Sequence, residues 1–419
     1  MASIRNPVAS VVAALLAAAC SAGAGSSSTA FASRSASSGG SGHDRGEGHY
    51  VQRNLVSDGF VPAEHTDPNL VNAWGMARLA TSPWWISDNG AGVTTLYDGE
   101  GVAQFGTPPL VVRITGAGGG PGAPDGAAAN PTSSFVVSAG GGSGPARFLF
   151  ASEDGTISGW NPGVPPPTPP ATRSTETVVA VDQSSPDPLG GSVYKGLAIA
   201  STPAGDRLYA TDFRQGRVDV FDGAFAPVAM AGAFVDPGIP DGFAPFGIQV
   251  VGDTVYVTYA MQDATRHDDV AGKHLGFVSA FTTDGTFVRR VASGGKLDSP
   301  WGVALAPAGG FGRFSGKLLV GNFGDGHVIG YRLDRVDGDG DGEGNDEADD
   351  RGHGEGDDGG AGGQYLTGPG GRITIEGLWG IGFGNDSAAG PANALFFAAG
   401  PGDESHGLFG RIDFVPDPE

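Results

Sequence analysis

The stretch SPWGVALAP, Ser299–Pro307, sets a bulky indole directly ahead of a glycine and follows it with an alternating apolar run. Four other segments echo it, each with a glycine leading an alternating apolar run: NAWGMARLA, VYKGLAIAS, APFGIQVVG and GLWGIGFGN, with their glycines at 75, 196, 247 and 380. The steps from 196 to 247 and from 247 to Gly302 set a unit of about fifty-five residues. The span from 75 to 196 is then two units, and that from 302 to 380 is one unit carrying an insertion. The missing marker is expected near residue 135, where NPTSSFVVSAG alternates but lacks an aromatic-glycine pair.

Each unit has a second recurring part: a strand ending in small polar residues, a glycine turn, and a strand finishing near an aromatic. Examples are WWISDNGAGVTTLYD, FLFASEDGTISGWN, LYATDFRQGRVDVFD and LLVGNFGDGHVIGYRLD. Period-two alternation broken by Asp, Asn and Gly turns marks antiparallel meanders. One such meander cannot bury both faces, whereas six arranged radially can, so the expected fold is an all-β, six-bladed β-propeller over residues 49–415. In that fold the marker glycine lies on the crowded innermost strand, and Trp74, Trp301 and Trp379 are expected to wedge between blades. The early segment YVQRNLVSD, Tyr50–Asp58, is expected to close the ring by pairing in the last blade.

Composition narrows the function. A net charge of −22 with no basic stripe excludes nucleic acid as a partner, and 75 glycines with 30 prolines among strand-like runs indicate turn-rich β structure. Residues 1–32 read as an export signal, with Arg5 ahead of an apolar stretch too short to span a bilayer. Cleavage after Ala30-Phe31-Ala32 removes the only cysteine; the competing Ala17-Ala18-Ala19-Cys20 box would instead lipidate Cys20. The expected location is therefore secreted, periplasmic or cell-surface, with no membrane span in the mature chain and a monomeric ring. Residues 33–48 are expected to be a disordered Ser/Gly linker, and 416–419 a short tail.

Together DPNLVNAWG, WISDNGAGVTTLYDG, APFGIQ, VYVTYAMQDATRHDDVAG, SPWGVALAP, LLVGNFGDG, GLWGIGFGN and FFAAGPGDESHGLFG resemble a family of secreted bacterial propellers, itself similar to NHL-repeat proteins. The resemblance covers about residues 50 to 415. It implies the propeller fold and export, and brings no activity with it. Propellers of the gluconolactonase type hold a divalent ion on the axis, but this chain shows no ordered set matching theirs.

The densest polar patch is QDATRHDDVAGKH, Gln262–His274, in the fourth unit. Asp263, His267, Asp268 and Asp269 there, joined by Glu404 and His406 from GPGDESHG, are the candidate binding residues, because loops on a rigid scaffold carry function. Histidine beside carboxylates suits metal ligation or proton transfer, whereas a polar loop tying blades together needs the same residues. Turn residues Asp88, Asn89, Glu153, Asp154, Asp212, Asn322 and Asp325 would ring the axis if they faced it, and are otherwise ordinary hairpin turns. Residues 334–363 form an acidic, glycine-rich insertion expected to be disordered. Asp337, Asp339, Asp341 and Gly342 start a calcium-loop pattern, with Glu347 one place early for its last ligand, which makes calcium the cofactor to consider. No Walker loop, HExxH, Cys-His pair or nucleophile elbow is present. A binding scaffold, a metal-dependent hydrolase or lactonase, and a structural surface protein stay open.

Overall fold

The computed structural model describes residues 48–187, 189–334 and 362–418. The export signal, most of the Ser/Gly linker and the calcium-loop pattern lie outside the described residues. Within the unit Arg45–Glu419 the strands form six blades. Blade 1 is Ala73–Ala77, Trp84–Asp88, Val93–Tyr97 and Val112–Arg113. Blade 2 is Pro124–Ala129, Phe148–Ser152, Thr156–Trp160 and Val178–Asp182. Blade 3 has three strands, Tyr194–Thr202, Gly205–Asp212 and Arg217–Asp222, with a bridge from Phe221 to Pro227 where a fourth would begin. Blade 4 is Phe243–Val251, Thr254–Met261, Phe277–Thr282 and Phe287–Ser293, and blade 5 is Pro300–Leu305, Leu318–Asn322, Val328–Tyr331 and Gln364–Tyr365. Blade 6 is Leu378–Phe383, Leu395–Ala399 and Leu408–Pro416, completed by Gly48–Ser57.

That last strand runs antiparallel to Leu408–Pro416 along its length, with one bulge between Asn54 and Val56, so the chain closes its ring with its own beginning. The buried Tyr50 hydroxyl also donates to Phe311 O at 2.8 Å, tying the closing strand to blade 5. Each innermost strand contacts the next around the full circle.

The crowding at the centre explains the glycines. A Cβ on Gly247 would lie 2.0 Å from Trp301 O, and one on Gly302 or Gly380 would lie 2.5 Å from the backbone oxygen of Trp379 or Trp74. Each marker thus abuts the inner strand of the following blade. The marker of the second unit is Gly126, whose Cβ would meet Leu197 N at 2.5 Å, and not a residue near 135. Phe135 instead precedes a side hairpin, Val136–Ala139 with Gly142–Pro145.

The core has seven parts, six between successive blades and one at the axis. Successive residues of a strand face opposite sides, which is why Trp84 packs on Phe396 of blade 6 while its neighbour Trp85 stacks on Phe148 of blade 2 at 4.2 Å. The wedging expected of Trp74, Trp301 and Trp379 falls to this pair and its counterparts. Trp74, Trp301 and Trp379 meet at the axis with Phe213 and Phe246, while Trp160 packs with Trp85 between blades 1 and 2. Trp74 and Phe246 come from opposite blades of a six-membered ring and still approach within 6.5 Å, which places both at its centre. Among the described residues no helix is long and apolar enough to cross a membrane.

Candidate functional site

In an up-and-down meander the start of the innermost strand and the turn joining strands two and three share one end, as the pairing of Ala73 with Asp88 and of Tyr194 with Asp212 shows. All six candidate residues lie in such turns, of blades 4 and 6. The residues entering the inner strands, one place before each marker glycine, are Trp74, Asp125, Lys195, Phe246, Trp301 and Trp379. Four aromatics thus fill one arc of the axis, and an aspartate and a lysine fill the other.

Lys195 is the centre of the charged arc. It is 1% exposed, donates to Glu153 and, at 3.3 Å, to Asp268 Oδ1, and lies 3.8 Å from Asp125 Oδ2. Its ammonium also sits 4.8 Å from the Trp74 ring, a cation–π contact that links the two arcs. Burial works against its charge, but Glu153, Asp125 and Asp268 outweigh that and hold the ammonium well above the ordinary lysine range. A lysine so held is a fixed cation, not a nucleophile.

The carboxylates are tuned apart. Burial and the neighbouring Glu153 push Asp125 well above the ordinary aspartate range. Asp268, accepting from His267 Nδ1 at 2.9 Å and facing Lys195, is held at about 2, and the same hydrogen bond raises His267. Burial lifts Asp269 to about 6, against opposition from Ser299 and Lys195, and also raises Glu404.

Asparagines extend the network around the ring. Asn89 Nδ2 donates to Asp125 Oδ1 at 2.7 Å and to Glu153 Oε2 at 3.3 Å. Asn72 Nδ2 donates to Asn89 Oδ1 at 3.3 Å and to Glu404 Oε2 at 2.8 Å. Five blades therefore contribute to one connected set, closed below by the aromatic cluster and open where His267 and Asp268 reach solvent. Glu153, His267 and Asp268 each offer a ligand atom within 4.8 Å of the others and are the described residues that could hold a metal ion.

The structure thus brings His267, Asp268 and Glu404 into the network and seats Asp269 beside it. Asp263 caps its own loop, accepting from His267 N at 2.9 Å and Thr265 Oγ1 at 2.7 Å. His406 sits apart, bonded to Asp58 at 2.7 Å and stacked on Phe60. Of the turn residues Asn89 and Glu153 face the network, whereas Asp154, Asp212 and Asp325 bind the backbone of their own turns or neighbouring loops. Asp125, Lys195 and Asn72 escape sequence reasoning. Their signal is positional: Asp125 and Lys195 stand where the other blades put an aromatic.

No protein-family model matches the chain. Among solved structures it is similar to virginiamycin B lyase from Staphylococcus aureus, at 11% identity over 88% of this chain and 100% of that one with a TM-score of 0.45. It is also similar to the soluble aldose sugar dehydrogenase of Escherichia coli, at 12% identity, 88% and 100% coverage and a TM-score of 0.47. Likeness at this level says nothing about activity. Among curated proteins, Acanthamoeba polyphaga mimivirus supplies uncharacterized protein R648, 34% identical over 65% of this chain and 64% of its own length. Uncharacterized protein L690 of the same virus is 35% identical over 65% of this chain and 69% of its own length. The chain belongs to the same family as this mimivirus protein L690.

Proposed function

We propose that the protein is an exported binding propeller that seats a polar ligand at the axial mouth, over Glu153, His267 and Asp268. The observation that carries this reading is the assembly of polar side chains from five blades into one connected set that holds a buried ammonium, Lys195. A purely structural ring has no need of such a set, because apolar filling of the axis costs no desolvation of charge, and blades 1, 4, 5 and 6 already fill it that way. Export rests on the N-terminal sequence alone, and kinship with secreted NHL-like propellers on the quoted motifs.

Trp74, directly under Lys195, provides the readout. Polyamines, amino acids and monosaccharides titrated against the full chain should include a class that changes indole fluorescence saturably. Asp268→Asn, at an exposed position, should weaken that binding at least about tenfold while the chain still folds and melts in one cooperative step. Binding of equal strength in Asp268→Asn would remove the mouth as the site.

A further inference from the structure

We propose that Glu153, His267 and Asp268 form a site for a divalent first-row transition metal at the axial mouth, with Lys195 fixing the two carboxylates from beneath. This rests on the reading of the mouth as a binding site and names its ligand.

Geometry supplies the first support. The three side chains each bring a ligand atom within 4.8 Å of the others. Three ligands held at about 2.1 Å by one tetrahedral ion stand roughly 3.4 Å apart, so side-chain rotations that bring the atoms together by about 1–1.5 Å close the trio. Glu153 comes from blade 2 and the adjacent His267 and Asp268 from one turn of blade 4, so the distance from Glu153 to that pair is set by the ring of blades. His267 is itself held by its neighbours, its backbone N–H donating to Asp263.

Asp125 supplies an independent sign. It is completely buried, its Oδ2 accepts no hydrogen bond, and that oxygen lies 3.8 Å from Lys195 Nζ, the ammonium that Glu153 and Asp268 also contact. One ammonium is therefore shared among the carboxyl groups of Asp125, Glu153 and Asp268, an acidic set that a second cation at the mouth would help to hold ionised. A buried acceptor left without a donor costs about 1–3 kcal/mol, and a bound ion is one of the arrangements that accounts for such a group.

The donor set selects the ion. One imidazole with two carboxylates suits zinc, manganese, cobalt or nickel, whereas calcium and magnesium prefer oxygen alone. Three protein ligands also leave a coordination position open to a second molecule.

The test uses the untagged full chain, stripped with a chelator and titrated calorimetrically with zinc, manganese and cobalt. One equivalent should bind, calcium and magnesium should bind at this site at least about tenfold more weakly, and cobalt should quench indole fluorescence. His267→Ala and Asp268→Asn, both at partly or largely exposed positions, should each lower zinc affinity at least about tenfold while the apo protein still melts in one cooperative step, slightly earlier for Asp268→Asn because its pairing with Lys195 is lost. Calcium taken up elsewhere is recognised by its indifference to His267→Ala. Zinc binding unaltered in both variants, or none at all, overturns the inference. If zinc fails while an organic ligand still binds and is weakened by Asp268→Asn, this inference falls and the binding reading stands; zinc binding with no organic ligand has the opposite meaning.

Discussion

The residue ahead of the marker glycine is aromatic in blades 1, 4, 5 and 6 and charged in blades 2 and 3, although all six occupy equivalent backbone positions beside the axis. The aromatic arc is held by contact: Trp74 stacks on Trp379 at 3.5 Å, Trp379 on Phe323 at 3.8 Å, and Trp301 meets both tryptophans edge-on. Its rings are placed by shape, and the indole N–H groups of Trp74, Trp301 and Trp379 are buried without an acceptor. The charged arc makes demands at a distance, since Asp125 and Lys195 are stable in the interior only with partners, and those partners, Asn89, Glu153 and Asp268, lie in turns of three blades. Breaking the repeat at two positions thus converts a packed axis into an organised mouth, which is where a violation of local consistency is expected to carry function.

Opening the ring removes both arcs at once and has the largest expected effect. Deletion of residues 48–57 strips blade 6 of its closing strand and leaves the edge of Leu408–Pro416 unpaired. Heat and urea melts followed by near-ultraviolet circular dichroism should lose their single cooperative step. A truncated protein melting in one step at the original midpoint would show that the arcs hold the ring without closure.

Next come substitutions that strike one arc. Trp379→Ala should cost about 4 kcal/mol, the usual price of emptying a buried tryptophan site, and should be insensitive to added salt. Lys195→Met should cost about 3 kcal/mol, because it leaves carboxylates buried without their cation. The two then diverge under a second change: Asp125→Asn added to Lys195→Met should return about 1 kcal/mol, whereas added to Trp379→Ala it should return nothing. Equal behaviour of both double variants in urea titrations would mean that the axis is one undifferentiated core.

The same contrast explains what is legible in the sequence. Marker glycines stand out because a Cβ there collides with the adjoining blade, a steric demand written one residue at a time. Gly126 hides because Asp125 precedes it where an aromatic is sought, and Lys195 hides inside a stretch whose glycine draws attention. His267 and Asp268 are conspicuous as charges in a long turn, but nothing local separates them from Asp263, which spends the same chemistry on its own loop. Which of these side chains meet depends on radial position around the axis, and that is set by six blades together. His406 illustrates the limit: it shares a turn with Glu404, yet its ring turns outward to Asp58 and Phe60 while Glu404 reaches Asn72.

An ion pair off the axis sharpens the comparison with the smallest expected effect. Asp236, buried between blades 3 and 4, accepts from Arg290 Nε at 2.9 Å, Ser279 Oγ at 2.7 Å and Gly238 N at 3.0 Å. Burial alone would raise its carboxyl, but these donors, Arg290 foremost, bring it below the ordinary aspartate value. A carboxyl lowered by folding stabilises the native state at pH values above its unfolded pKa of about 3.9, and that contribution disappears as acid protonates it in the fold. Here one cation serves one carboxylate, with no surplus oxygen to recruit anything further. Arg290→Met should therefore cost about 2 kcal/mol at pH 7, less than a fully buried pair because the guanidinium is partly exposed. Its share of the acid-side loss of stability should vanish with it, so that urea midpoints of wild type and variant converge as pH falls below about 4. Midpoints that stay parallel down to pH 3 would show that Asp236 is held by its turn and not by the arginine.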